Sequence, residues 1–166
     1  MTQGQRSSPG SGPHKGSVSR DEMEKIIIEG DTEALVAGAQ QVARTVAELG
    51  ARSYQLRGLL GDIHQVEVAW NASPTEGQRE LRTLRLKLAL MEKRARQTTD
   101  EGGPSPLGVL TDVAYGAIDV MLERADDWRK EDKGEEGEAE GQKALRRLSD
   151  LFEAIVAYRR QYRGRG

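Results

Sequence analysis

Residues 78–97 read QRELRTLRLKLALMEKRARQ, and this stretch determines how the rest of the chain is interpreted. At about 100° per residue, apolar side chains that recur at three- and four-residue intervals form one stripe of an α-helix. Those side chains are Leu81, Leu84, Leu88, Met91 and Ala95. Leu86 and Leu90 lie off this stripe, among basic residues. We therefore predict a helix with a core-facing side and a second, basic-rimmed apolar spot that packs against a neighbouring helix or subunit.

The composition is that of one helix-rich domain with an aliphatic core. The 166 residues are 36% hydrophobic and 31% charged but only 4% aromatic, and a chain of this length buries a substantial core. The absence of cysteine excludes disulfides and thiolate chemistry and fits a reducing compartment. No apolar run is long enough to span a membrane, and no signal-peptide core follows the amino terminus. We expect a cytoplasmic protein without membrane contact.

The net charge of −2 conceals strong segregation along the chain. Residues 76–97 contain seven basic and three acidic side chains, whereas residues 119–141 contain ten carboxylates against four basic groups. The last helix and the tail are basic again. Local fields of this kind decide which polyanion or acidic surface a protein meets, more than the net charge does.

Turn and capping signals predict an all-α bundle of five or six helices, because no segment alternates like a strand. Residues 1–18 carry almost nothing to bury and are expected to form a disordered arm. The bundle then spans residues 19–163, with helices capped near Ser19, Asp31, Ser53, Ser73 and Ser105. Within it, residues 131–141, EDKGEEGEAEG, are expected to form an acidic mobile loop, so that the last helix begins at Gln142. Residues 164–166 form a basic tail.

Two glycines inside the third predicted helix are unusual. Gly58 and Gly61 each cost about 1 kcal/mol relative to alanine in a helix interior. We interpret them as positions where another backbone approaches closely.

The sequence offers little for catalysis. Its two histidines are His14, in the arm, and His64, whose nearby carboxylates do not have zinc-ligand spacing. Gly102 and Gly103 lack the lysine of a phosphate-binding loop. We therefore expect no enzyme, no metal and no cofactor. Binding of a polyanion through the basic helix face is the main functional hypothesis, and a merely solvated face is its alternative.

Three short motifs, in order, resemble the small subunit of the type III-A CRISPR effector, the Csm complex. Residues 53–57, SYQLR, resemble the family's Thr-Ser-Gln-Ile-Arg signature; residues 87–90, KLAL, followed by Arg94, resemble its Lys-Leu-Ala-Tyr segment with a later arginine; residues 152–158, FEAIVAY, resemble its carboxy-terminal Glu-Ala-Ile-Val-Ala-Tyr. This sequence departs from the pattern at Leu90, where tyrosine is usual, and at Arg159, where histidine is common.

The resemblance implies a non-catalytic subunit for antiviral defence, stacked in copies along a ribonucleoprotein beside its backbone and large subunits, and supporting the guide RNA–target RNA duplex. Transferred by motif, the candidate RNA-backbone contacts are Arg57, Lys87, Arg94, Arg159 and Arg160. Periodicity leaves open that Arg57 and Arg94 pair with carboxylates, and it places Arg159 on the core stripe of Phe152 and Ile155. In the stack, Asp126, Asp127 and Glu131 are expected to face a basic patch of the next copy.

Two alternatives remain at this point. The first is the analogous small subunit of type III-B complexes, with the same role. The second is a helical protein–protein adaptor that makes no RNA contact.

Overall fold

A computed structural model describes residues 18–98, 105–128 and 134–163. These residues form six α-helices and no strand, which confirms the all-α prediction. The helices are α1 (Arg20–Glu24), continued by a π-helical segment (Lys25–Glu29), then α2 (Thr32–Glu48), α3 (Ser53–Ala72), α4 (Pro74–Thr98), α5 (Pro106–Trp128) and α6 (Gly134–Arg163).

Local signals set the first two helix boundaries as expected. The Ser19 hydroxyl accepts a hydrogen bond from the Glu22 amide at the start of α1, and Asp31 accepts one from the Ala34 amide at the start of α2. Between them, Gly30 has a φ of 72°, a left-handed conformation that favours glycine and ends the π-helical segment. Residues 1–17 of the predicted arm lie outside the described residues. Val18, which we assigned to the arm, is buried in the core, so the bundle begins one residue earlier.

The helices pack in three layers. On one side α3 and α4 form an antiparallel pair; α4 packs on α5, and α3 packs on α6. The central α5 and α6 also contact each other and carry α1, the π-helical segment and α2 on their other side. Because α1 and α2 pack on the central helices without substantial contact to α3 or α4, they form the opposite outer layer. The core lies between these layers.

The predicted stripe of α4 is confirmed, and so is its second face. Leu81, Leu84 and Leu88 are buried, whereas Leu86 and Leu90 are 63% and 51% exposed. The side chain of Ala95, the last member of the predicted stripe, lies outside the described residues.

The acidic loop prediction was wrong for residues 134–141, which form the first two turns of α6. Gly137 and Gly141 looked like helix breakers, but both are buried, Gly137 against the Trp128 backbone and Gly141 against the Trp70 ring. Packing under two tryptophans therefore offsets the poor helix propensity of these glycines. Residues 131–133 and the tail at 164–166 lie outside the described residues.

The close approach expected at Gly58 and Gly61 is not made by any residue that the structure describes. Both are exposed, and a Cβ atom built on either would have no neighbouring atom within 4 Å. No backbone of the described residues approaches α3 at this face.

Candidate nucleic-acid interface

The register between α3 and α6 brings two predicted contact residues together. The two helices are antiparallel: Asn71 accepts a hydrogen bond from the Gln142 side chain near one end, and Ser53 accepts one from Arg159, 3.1 Å away, near the other. In this register Arg57 and Arg160 lie within about one helical turn of each other's level on adjacent helices. Both are exposed, and neither has a hydrogen-bond or ion-pair partner among the described residues.

Arg94 reaches the same end of the bundle from a third helix. Helix α4 is antiparallel to α3, with Lys87 opposite Asp62 and Gly77 against Trp70, so the carboxy-terminal turns of α4 lie beside the first turns of α3. Arg94, in those turns, is exposed. We name the set of Arg57, Arg94 and Arg160 the basic end.

Helix macrodipoles partly cancel at this end of the bundle, because α3 begins there whereas α4 and α6 end there. Helix α3 begins at Ser53, so its amino-terminal amides and the positive end of its macrodipole belong to the basic end. Tyr54, in its first turn, is 68% exposed, so its ring does not serve as core packing.

Lys87 is held differently. Its ammonium lies 3.0 Å from the Asp62 carboxylate on α3, and 55% of its side chain stays exposed. The pair joins α3 to α4 about midway along both helices. Since Asp62 compensates its charge, Lys87 offers less net attraction to a polyanion than Arg57 or Arg160 does.

Arg159 is a structural residue in this bundle and not a surface contact. It is only 3% exposed and donates hydrogen bonds to the Ala51 carbonyl and the Ser53 hydroxyl. Arg159 lies on the same stripe of α6 as Phe152 and Ile155, so its side chain points into the bundle. There the guanidinium stabilises the turn between α2 and α3.

The sequence predicts a basic rim on the outer side of α4, around Leu86, but not the pocket that the structure shows there. A shallow pocket there is lined by Thr75, Arg79, Arg82, Thr83 and Leu86. The i to i+3 and i to i+4 spacing of these residues was the available signal. By contrast, Arg85 faces the bundle: its guanidinium lies 2.7 Å from the Asp119 carboxylate and over the Tyr115 ring, and the hydrogen bond to Asp119 raises the pKa of Arg85.

The α3–α6 groove also holds a group of titratable side chains. The buried Ser149 hydroxyl donates to Glu67, Arg146 lies 3.8 Å from the same carboxylate, and His64 lies 3.6 Å from Glu153. Burial raises the pKa of Glu67, against the smaller opposing effects of His64 and Arg146. Within the part of the chain that the structure describes, no group of three histidine or carboxylate side chains could hold a metal ion.

No helix in the described ranges is both long and apolar enough to cross a membrane. The protein is therefore a helical bundle with exposed arginines from three helices at one end. Proteins of this class are suited to charge-based association with other macromolecules.

Comparison with known proteins specifies the family. Residues 29–165 match the family model described as Csm2 Type III-A. The match covers most of the chain, so the protein belongs to the Csm2 family, the non-catalytic small subunits of type III-A CRISPR effector complexes. Searches among curated proteins and among solved structures found no match.

The family match confirms the resemblance seen in the three motifs. Membership implies association with other Csm subunits. Because the matching model is that of the type III-A family, the type III-B alternative is set aside.

Proposed function

We propose that this protein supports the guide RNA–target RNA duplex of a type III-A complex in antiviral defence, and that its basic end contacts the RNA backbone. The observation that carries the proposal is the convergence of Arg57, Arg94 and Arg160, from three different helices, at one end of the bundle. Arg57 and Arg160 have no partner among the described residues, so no carboxylate in that part of the chain compensates their charges.

The chemistry of these side chains suits a backbone and not a base sequence. Guanidinium groups bind phosphate oxygens through two parallel hydrogen bonds and remain charged at all physiological pH values. Contacts of this kind position a protein on nucleic acid without reading its sequence, and they displace counterions. A subunit that accommodates any guide needs this property.

Among the other candidates, Lys87 contributes less because Asp62 compensates it, and Arg159 is withdrawn because it is buried. The remaining partners are proteins. On the strength of family membership we propose association with the backbone and large subunits, self-association in copies, and a cytoplasmic location. Of the carboxylates expected to face the next copy, Glu131 and the side chain of Asp126 lie outside the described residues.

The test is target-RNA binding by reconstituted complexes that carry R57A together with R160A. We expect about tenfold weaker binding at moderate salt, and a salt dependence that is shallower by roughly one to two counterions. The matched control is R124A. Arg124 is exposed on α5, near Trp128 and so at the end of the bundle opposite the basic end. Unchanged affinity and unchanged salt dependence in the double variant would favour the adaptor that makes no RNA contact.

A further inference from the structure

The outer side of the α3–α4 pair carries every large hydrophobic residue that is exposed in the described part of the chain. These are Tyr54, Val68, Leu86 and Leu90, each 51–68% exposed. We name this side the α3–α4 face. These four side chains share one side of the molecule, and we take that side as the candidate interaction surface.

On this face the outward residues of both helices recur at intervals of three and four residues. Steps of four, three, four and three residues connect the outward positions of α3, which are Tyr54, Gly58, Gly61, Gln65 and Val68. The same steps connect the outward positions of α4, which are Arg79, Thr83, Leu86, Leu90 and Lys93. These steps place each set on the side of its helix opposite the core stripe, so that Leu86 and Leu90 of α4 lie on the same side as Tyr54 and Val68 of α3.

The exposed glycines fit the same interpretation. Open space surrounds the positions where Gly58 and Gly61 would carry side chains. No contact with another described residue offsets their cost to α3, about 1 kcal/mol each. Close approach by a helix from outside the chain would use the gap they leave.

Charge indicates what that helix must carry. The rim of the α3–α4 face is positive on α4, where Arg82 and Lys93 are exposed without a partner among the described residues. Arg79 pairs with Glu76 of its own helix, at 3.3 Å, and with no other residue that the structure describes. A complementary surface is therefore acidic.

The opposite outer layer of the same molecule supplies such a surface. Exposed carboxylates there are Asp21, Glu22, Glu29, Asp31 and Glu33. Only Arg20 and Lys25 oppose them in residues 20–33, and Arg20 is already paired with Glu123. The outward side of α2 also exposes Ala37, a small residue one turn after Glu33, where a protruding leucine can be received. We name this side the α1–α2 face.

We propose that the α3–α4 face of one copy docks on the α1–α2 face of the next copy. This inference rests on the self-association in the proposed function and specifies its two surfaces. A contact between different faces leaves one of each kind free, so it propagates as an open stack. With about 8–10 Å between packed helix layers, three layers give a repeat of roughly 25–30 Å per copy.

One geometric consequence connects the stack to RNA. The layers succeed one another perpendicular to the helix axes, whereas the basic end lies at the ends of those helices. Copies stacked layer on layer therefore align their basic ends along one edge. Leu86 and Leu90 belong to the contact between copies and Arg160 of α6 belongs to the basic end, so mutations at these positions separate the two contacts.

Site-specific cross-linking tests the proposed faces in the assembled complex. Since the chain has no cysteine, A37C with L86C introduces the only thiols of this subunit. Oxidation should give a ladder of dimers, trimers and higher species. A37C alone and L86C alone should give no ladder. A dimer from L86C alone would show two α3–α4 faces meeting each other, and absence of the ladder in the double variant would also overturn the proposal.

Complementation between two defective variants tests the same faces in the purified, RNA-free chain. In sedimentation experiments at low salt, L86E/L90E and E29K/E33K should each associate at least tenfold more weakly than the unmodified chain. An equimolar mixture should form dimers that grow no further, because each variant keeps one intact face. Failure of the mixture to form dimers contradicts the proposal.

Two further outcomes separate the proposals. If L86E/L90E assembles normally but loses target RNA, the α3–α4 face binds RNA and the docking proposal is wrong. If R57A/R160A leaves RNA binding unchanged while the ladder persists, the RNA proposal fails and the docking proposal stands.

Discussion

Arg159 of α6 donates hydrogen bonds to the Ser53 hydroxyl, 3.1 Å away, and to the Ala51 carbonyl, and in doing so fastens the start of α3 to the end of α6. The guanidinium therefore acts at the junction of three helices: the last turns of α6, the turn after α2 and the first turn of α3.

Replacing Arg159 with methionine should lower the free energy of unfolding by about 2 kcal/mol, since a buried carbonyl loses a charged donor. Urea denaturation measures this loss. The matched control is R160M, one position along, where the side chain is exposed and the change should stay within about 0.5 kcal/mol. Equal stabilities for the two variants would contradict the structural role of Arg159.

Replacing a glycine with alanine should lower the free energy of unfolding at Gly141 of α6 and raise it at Gly58 of α3. Gly141 lies against the Trp70 ring, so G141A should destabilise the bundle by about 1–3 kcal/mol through overpacking. G58A adds a methyl group in open space and should stabilise the monomer by about 0.5–1 kcal/mol through helix propensity. Both are measured by urea denaturation at low protein concentration. A destabilising effect of G58A would show a contact that the structure lacks.

Glu67 should make stability depend on pH in a direction unlike that of most carboxylates. Burial raises the pKa of Glu67 above its ordinary value of 4.5, so the folded chain keeps this proton at pH values where the unfolded chain has lost it. Its contribution to stability therefore falls as pH rises through the interval between the two values.

The change E67Q removes this titration while preserving an acceptor for the Ser149 hydroxyl. Relative to the unmodified chain, E67Q should gain stability as pH increases from about 4.5 toward neutrality. Urea denaturation across pH 4 to 7 gives the comparison, with E136Q as the same change at an exposed site of α6. Parallel pH profiles for E67Q and the unmodified chain would refute the expectation.

The Asp62 carboxylate should lower the contribution of Lys87 to the affinity for RNA. D62N removes the carboxylate 3.0 Å from the Lys87 ammonium, so target RNA should bind a few-fold more tightly in reconstituted complexes, with a salt slope steeper by about 0.7–0.9. Adding K87A to D62N should abolish the gain. A gain that survives in the double variant would assign the effect to something other than Lys87.

Local signals account for the part of the fold that the sequence predicts well. The caps at Ser19 and Asp31 and the left-handed Gly30 act within one helical turn, so a short window of sequence contains all the necessary information. The same holds for the stripe of α4, where Leu86 and Leu90 are exposed as their spacing requires.

Non-local packing explains the failures. Gly137 and Gly141 read as helix breakers because the tryptophans that bury them lie elsewhere in the chain. Arg159 could be assigned to the core stripe or to RNA, and only the position of the Ala51 carbonyl decides between them. Likewise, the convergence of Arg57, Arg94 and Arg160 depends on the directions and registers of three helices, which no single motif encodes.

Helix α6 sets a fixed distance between the two ends of the bundle. Its 30 residues run without interruption from the acidic segment near Glu136 to Arg160 at the other end of the bundle. At about 1.5 Å per residue, probes at these two positions would stand roughly 36 Å apart along the axis. Since the ends of this rod differ, spectroscopic distances from each probe to a labelled guide RNA would reveal which way every copy points inside the particle.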